Sequence, residues 1–123
     1  MKFLRCTHCG NFVGKVIDNG IPLVCCGDPM EQVVPNTVEA SFEKHLPVIS
    51  FDDCCVEVNV GEADHPMMEE HHIDFIYVET KNGGQRKTLA VDGAPHARFC
   101  VVDDEVVAVY AYCNLHGLWK TEV

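Results

Sequence analysis

Short apolar runs separated by turn residues dominate the chain, and very little of it carries helical periodicity. Residues 48–51, 55–60, 73–79, 86–91, 98–102 and 106–112 are rich in Val, Ile, Phe and Tyr, and several alternate, as Val56, Val58 and Val60 do. Between them stand Asp52-Asp53, Asn82-Gly83-Gly84, Asp92-Gly93 and Asp103-Asp104, whose side chains and backbone freedom suit turns. Alternation marks a strand with one buried face, and roughly six or seven such strands at this spacing predict an antiparallel β-sandwich. Residues 37–44 hold a turn of helix at most. No segment repeats, so the chain reads as all-β.

Residues 1–36 have a different texture. Cys6-Thr7-His8-Cys9-Gly10 is followed by apolar residues 12–17, the turn Asp18-Asn19-Gly20, residues 21–24 and then Cys25-Cys26-Gly27. Asn-Gly between two β-rich runs predicts a hairpin that brings the first cysteine pair beside the second. So small a unit cannot bury enough apolar area to hold itself together, and a metal bound to four thiolates would staple it. The division is therefore a metal-stapled domain, 1–36, and a sandwich, 37–123.

Composition sharpens this picture. Eight cysteines and seven histidines in 123 residues point to metal ligands or reactive thiols. The formal net charge of −10 argues against a nucleic-acid partner, whose phosphates it would repel. No apolar run reaches the length of a membrane span. The opening Met-Lys-Phe-Leu-Arg-Cys lacks a signal-peptide core, so a cytoplasmic location is expected.

Cys6-x-x-Cys9 lets two thiolates of one turn reach one ion, and Cys25 and Cys26 supply two more. Adjacent residues on a strand point to opposite faces, so this second pair can serve only from a turn. Four thiolates suit zinc or iron equally. His8 lies inside the knuckle and is given no role. In the sandwich region His45, His65, His71, His72, His96, Cys113 and His116 remain, several at junctions of loop and strand. Such positions can converge at one end of a rigid sandwich.

At this point the sequence resembles the desulfoferrodoxin family of two-iron superoxide reductases. The resemblance is carried by C-T-H-C-G (6–10), the adjacent cysteines, E-K-H-L-P-V (43–48), H-P-M-M-E-E-H (65–71) and C-N-L-H-G-L-W-K (113–120), in the family's order. It implies a rubredoxin- or desulforedoxin-like first domain with iron on Cys6, Cys9, Cys25 and Cys26. It implies an immunoglobulin-like second domain with iron on His45, His65, His71 and His116 and an axial Cys113. Glu43 and Lys44 match the mobile pair facing the open axial position. A homodimer and a rubredoxin-like electron donor are also implied. His72 stands beside His71 where the family more often has another residue. The spacing favours His71, as does a strand face shared with Ile73, Phe75 and Tyr77.

Charge separates the two sites. A ferrous ion with four thiolates is doubly negative, whereas four neutral imidazoles and one thiolate leave it singly positive, so only the second attracts superoxide. Two alternatives stay open: an electron-transfer protein without substrate chemistry, and a zinc-stapled interaction module. Cys54, Cys55 and Cys100 match no ligand position. They are expected to be buried or half-buried thiols, with exposed members of the adjacent pair open to oxidation.

Overall fold

In the computed structural model, which describes Met1–Val123, the chain falls into two units, Met1–Val34 and Pro35–Val123. In the first, β1 (Lys2–Arg5) pairs antiparallel with β2 (Phe12–Lys15) and, on its other side, with β5 (Glu31–Val33). The β1–β2 connection is a knuckle closed by Cys6 N–H to Asn11 O at 2.8 Å and Gly10 N–H to Cys6 O at 3.0 Å. Between β2 and β5, β3 (Val24–Cys25) and β4 (Asp28–Pro29) form a small hairpin around Cys26-Gly27. Both turn residues have positive φ, 52° and 81°, as a type I′ loop requires.

The hairpin expected across Asn19-Gly20 does not form. Residues 12–15 instead pair with β1, which carries Phe3 and Leu4, two of the unit's three buried apolar side chains, and the Phe3 and Phe12 rings lie 5.5 Å apart. Ile21 and Val24 offer no such partner and are exposed. Asp18 instead organises the bend, accepting from Gly20 N–H and Lys15 Nζ, each at 2.9 Å.

The second unit opens with one turn of helix, α1 (Phe42–His45). Seven strands follow: β6 (Pro47–Asp52), β7 (Cys55–Val60), β8 (Ile73–Thr80), β9 (Gly83–Thr88), β10 (His96–Cys100), β11 (Val106–Cys113) and β12 (Gly117–Glu122). They make two antiparallel sheets, ordered β10-β7-β6 and β12-β11-β8-β9. This is an immunoglobulin-like sandwich in which the fourth strand joins the sheet of the third. Val56, Val58 and Val60 face Ile73, Ile76, Val78, Val109 and Ala111 across the core, with Phe99 and Cys113 in the same cluster. Each of these buried valines contributes about 2 kcal/mol of burial free energy. No helix is long and apolar enough to cross a membrane.

One irregularity bears on the site. The β8–β11 register shifts between Tyr112↔Phe75 and Cys113↔Ile73, which makes Asp74 an inserted residue. Ile73 therefore faces the core with Ile76 and Val78, while Phe75 stacks on Tyr112 on the other face. The face expected to unite His71 with Ile73, Phe75 and Tyr77 does not exist as such. In β9, Gly83 and Gly84, expected as a turn, pair with Thr80 and Glu79. A Cβ on Gly84 would lie 2.0 Å from Tyr77 Oη, so only glycine lets that ring cross the strand.

Candidate metal centres

Two sets of donor atoms converge, one in each unit. In the first, the Sγ atoms of Cys6, Cys9, Cys25 and Cys26 all lie within 4.8 Å of one another, with Cys9–Cys25 at 3.6 Å and Cys25–Cys26 at 4.0 Å. A tetrahedral ion with bonds of about 2.3 Å spaces its sulfurs by about 3.8 Å, so the cage already has the right size. The left-handed φ of Cys26 turns two neighbouring side chains to one side. Backbone N–H groups of Cys9 and Asn11 point at Cys6 Sγ and Cys9 Sγ, each at 3.5 Å. The Cys9 N–H is the main reason the Cys6 thiol sits at about 6, whereas the Cys9 and Cys6 sulfurs push Cys26 up to about 12. Four sulfurs this close cannot all shed their protons against one another, and a soft cation among them removes the conflict. His8 stays outside, with Nε2 2.6 Å from the Asp28 carboxylate.

The second set is assembled from separate connections. His45 ends α1, His65 and His71 lie between β7 and β8, and Cys113 and His116 flank the β11–β12 turn. The ring centroids run His45–His65 4.7 Å, His65–His71 4.6 Å, His71–His116 5.1 Å and His116–His45 4.9 Å, with 6.4 Å across from His45 to His71. The four rings thus stand at the corners of a square, each turned steeply against its neighbours. His45 Nε2 is 3.2 Å from His65 Nε2 and 3.1 Å from His116 Nδ1, and Cys113 Sγ lies 3.9 Å from the same His116 nitrogen.

Hydrogen bonds sort the ring nitrogens. His45 Nδ1 meets Ser41 O and His65 Nδ1 meets Pro66 O, both at 2.7 Å. A carbonyl only accepts, so each Nδ1 carries the proton and each Nε2 turns a lone pair inward. His71 Nε2 is buried and has no hydrogen-bond partner. Burial lowers the pKa of His45 and His71 and takes His65 to about 4, which keeps these rings neutral at pH 7. Burial also pushes the Cys113 thiol up, against opposing N–H groups of His116 and Leu115. Inward lone pairs this close repel unless a cation lies between them, and bonds of about 2.1 Å at right angles would set neighbouring nitrogens about 3.0 Å apart. The donor set therefore fits a first-row transition metal held by imidazoles and one thiolate.

His72 is differently placed. Its Nδ1 donates to Met68 O at 2.8 Å and its Nε2 meets Asp74 Oδ1 at 2.8 Å, so both nitrogens are engaged outside the square. Lys44 is exposed, and its charge bears on both His45 and His71. Glu43 is exposed and lines an open groove with Phe42, Leu46 and Glu62. His96, exposed on β10, belongs to neither group.

The family model described as Desulfoferrodoxin matches residues 37–122, and that described as Desulfoferrodoxin, N-terminal domain, matches residues 1–33. The chain belongs to the desulfoferrodoxin family. It is 43% identical over 121 residues to desulfoferrodoxin from Nitratidesulfovibrio vulgaris, covering 98% of this chain and 95% of that one. It is also similar to the superoxide reductase of Treponema pallidum, a solved structure with TM-score 0.82 and 37% identity, covering 97% and 98% of the two chains. The 1Fe superoxide reductase of Giardia intestinalis matches at TM-score 0.57 and 31% identity, with 66% of this chain covering 97% of that one.

Around the square, three residues matter that the sequence reading passed over. Trp119, wholly buried, stacks on His45 at 4.8 Å and donates its Nε1–H to His116 O at 3.1 Å. Asn114 ties the Cys113 turn to the His71 segment, accepting from His72 N–H at 2.9 Å and donating to Glu70 O at 3.1 Å. Gly61 has φ +89°, and a Cβ there would lie 2.3 Å from Ala63 O and 2.7 Å from Lys44 O. Its N–H donates to Leu46 O at 3.0 Å, and Glu62 N–H donates to Glu43 O at 2.8 Å. The signals were faint: a lone Trp beside a histidine motif, and a Gly after an alternating strand.

Gly61→Ala is accordingly expected to lower the unfolding free energy by about 2 kcal/mol. It should also release metal from the second centre at lower chelator concentration, because His45 adjoins the displaced Lys44. Denaturant midpoints and chelator titrations check this, and wild-type values on both would show that the segment yields freely.

Proposed function

We propose that the chain is a superoxide reductase, taking superoxide to hydrogen peroxide at an iron held by His45, His65, His71, His116 and Cys113 within residues 37–123. The observation that carries this reading is the square of inward-turned imidazoles beside a buried thiol, with His71 Nε2 left without a partner. Family members that are themselves superoxide reductases, in Treponema pallidum and Giardia intestinalis, support it. In the same reading residues 1–36 hold a second iron on Cys6, Cys9, Cys25 and Cys26, for electron transfer or as a staple.

Ferrous iron held there would supply the single electron that superoxide must gain. The chain's own residues set the charge, the approach and the protons. Four neutral imidazoles and one thiolate leave the second centre positive, whereas four thiolates leave the first negative, so the anion is drawn to the second. Lys44 adds a cation beside it and offers an N–H to the incoming oxygen. Glu43 supplies a carboxylate that competes with the product for the same approach. We include in the reading a cytoplasmic protein and a rubredoxin-like donor. A homodimer belongs to it as well, since Val16, Ile17 and Ile21 give a second copy an apolar surface to cover.

The test is rapid mixing of the reduced, iron-loaded protein with pulsed superoxide. Peroxide should form without matching dioxygen; dioxygen in equal amount would mark a dismutase, and no consumption would leave electron transfer alone. Lys44→Ala should retain both irons yet react roughly tenfold more slowly, as expected when one steering charge is lost. Salt should slow the wild type and affect the variant less, because attraction is screened over about 10 Å at 0.1 M. Equal rates and salt slopes would remove Lys44 from the mechanism.

A further inference from the structure

Five of the eight cysteines belong to the two centres, and the other three converge at a third place. Cys54, Cys55 and Cys100 bring their sulfurs within 4.8 Å of one another on the outer face of the β10-β7-β6 sheet. Cys55 is half-buried, within the expectation from the sequence, whereas Cys54 and Cys100 are exposed rather than buried or half-buried. Cys55 stands directly opposite Cys100 in the antiparallel β7–β10 pair, with the two Sγ atoms 3.9 Å apart. Next to them Val101 N–H donates to Cys54 O at 2.8 Å, so by alternation Cys55 and Cys100 occupy a non-hydrogen-bonded site. That is the narrow site of an antiparallel ladder, with Cα atoms about 4.5 Å apart, within the span a disulfide bridges. Cys54 and Cys55 are joined by a trans peptide that fixes their Cα atoms at about 3.8 Å, too close for an ordinary disulfide.

Arg98 distinguishes the two opposed thiols. It lies two residues before Cys100 on the same exposed face, and its Nη2 donates to Cys55 Sγ at 3.2 Å. Glu57, facing Arg98 across the strands, lies 3.8 Å from Nη1. The guanidinium lowers the Cys55 pKa, and the Cys55 sulfur in turn raises that of Cys100. An accessible thiolate beside a cation, with a second thiol in reach, is the arrangement that reacts with peroxide and then resolves.

We infer that Cys55 is a peroxide-reactive thiolate whose oxidised sulfur is captured by Cys100 as a cross-strand disulfide. The Cys55 thiolate attacks one oxygen of hydrogen peroxide; an S–O bond forms, the O–O bond breaks, and the departing hydroxide takes a proton to become water. Cys100 then gives up its proton and attacks the Cys55 sulfur; the S–S bond forms and the S–O oxygen leaves as a second water. Two thiols lose two electrons and peroxide gains them. The inference rests on the proposed reductase activity only for the source of its peroxide.

The experiment uses the full-length, metal-loaded protein with its thiols reduced, exposed to graded reagent peroxide, quenched by alkylation and mapped by peptide mass spectrometry. A Cys55–Cys100 linked peptide is expected before any cysteine of the first centre is consumed. Cys100→Ser should instead leave a Cys55 sulfenic acid that dimedone traps, and Cys55→Ser should give neither product. Arg98→Gln should slow the reaction roughly tenfold, with Arg98→Lys recovering part of it, since thiolate formation sets the rate. The inference fails if Cys55 stays free, if Cys54 forms the bond, or if Arg98→Gln reacts as fast as wild type. It also fails if the three sulfurs carry a stoichiometric metal that blocks peroxide. A parallel arm replaces peroxide by superoxide with and without catalase. Disulfide from reagent peroxide, with superoxide lost no faster than it dismutates in buffer alone, would overturn the reductase reading and leave the thiol pair standing.

Discussion

His71→Ala should empty the second centre of metal and abolish superoxide consumption, while His72→Ala should leave both intact. The two residues are neighbours of the same type, so the contrast isolates position. His71 Nε2 is buried with no partner, among the donor atoms of His45, His65 and Cys113. His72 spends one nitrogen on Met68 O and the other on Asp74. Removing a group that merely orients a ligand costs roughly 10–100-fold in metal affinity, and removing a donor costs more. Metal content per chain after anaerobic loading, together with the second-order rate with superoxide, checks both variants. Metal retained in His71→Ala and lost in His72→Ala would reverse the assignment.

Cys26→Ser should cost the first unit its fold and leave the chemistry of the second untouched. Among apolar side chains in Met1–Val34, only Phe3, Leu4 and Cys6 are buried, far too little to offset the ordering of so many residues. The fold must come from the ion that joins the two knuckles, as in other small metal-dependent domains. Hydrogen exchange should lose protection throughout β1, β2 and β5 in the variant, with the sandwich unchanged and superoxide still consumed. Protection that survives loss of the metal would sink the staple, and a reductase rate that falls with it would sink the division of labour.

The sequence was legible where one face of an element is buried and the other wet. Val56, Val58 and Val60 alternate with half-buried neighbours, so β7 could be read directly. β9 is exposed at all six positions and gives no alternation, which is why its glycines passed for a turn. β12 was read as part of a histidine motif rather than as the strand that closes the sheet beside β11. The hairpin at Asn19-Gly20 failed because the Cys6 knuckle reverses the chain first and gives β2 a better partner. The four cysteines of the first centre could be named from their spacing, whereas the histidines and Cys113 of the second were named through the family resemblance that their motifs carry. Trp119, Asn114 and Gly61 act through contacts between distant positions that no local pattern records. The face argument for His71 assumed an unbroken strand, and the inserted Asp74 removes that assumption while hydrogen bonding points to the same residue.

The two centres also differ in how far along the chain their donors must be gathered. Cys9 and Cys25 are 16 positions apart, whereas His45 and His116 are separated by 71. Loop closure over the short span is fast, so a metal can grip the first unit while most of its backbone is still unformed. The histidine square cannot exist until β6, β7, β8, β11 and β12 have paired, which makes it a late event in a fold of high contact order. The first donor set can therefore be gathered before the sandwich has paired, whereas an ion held by the second would be a chemical record that the sandwich has closed.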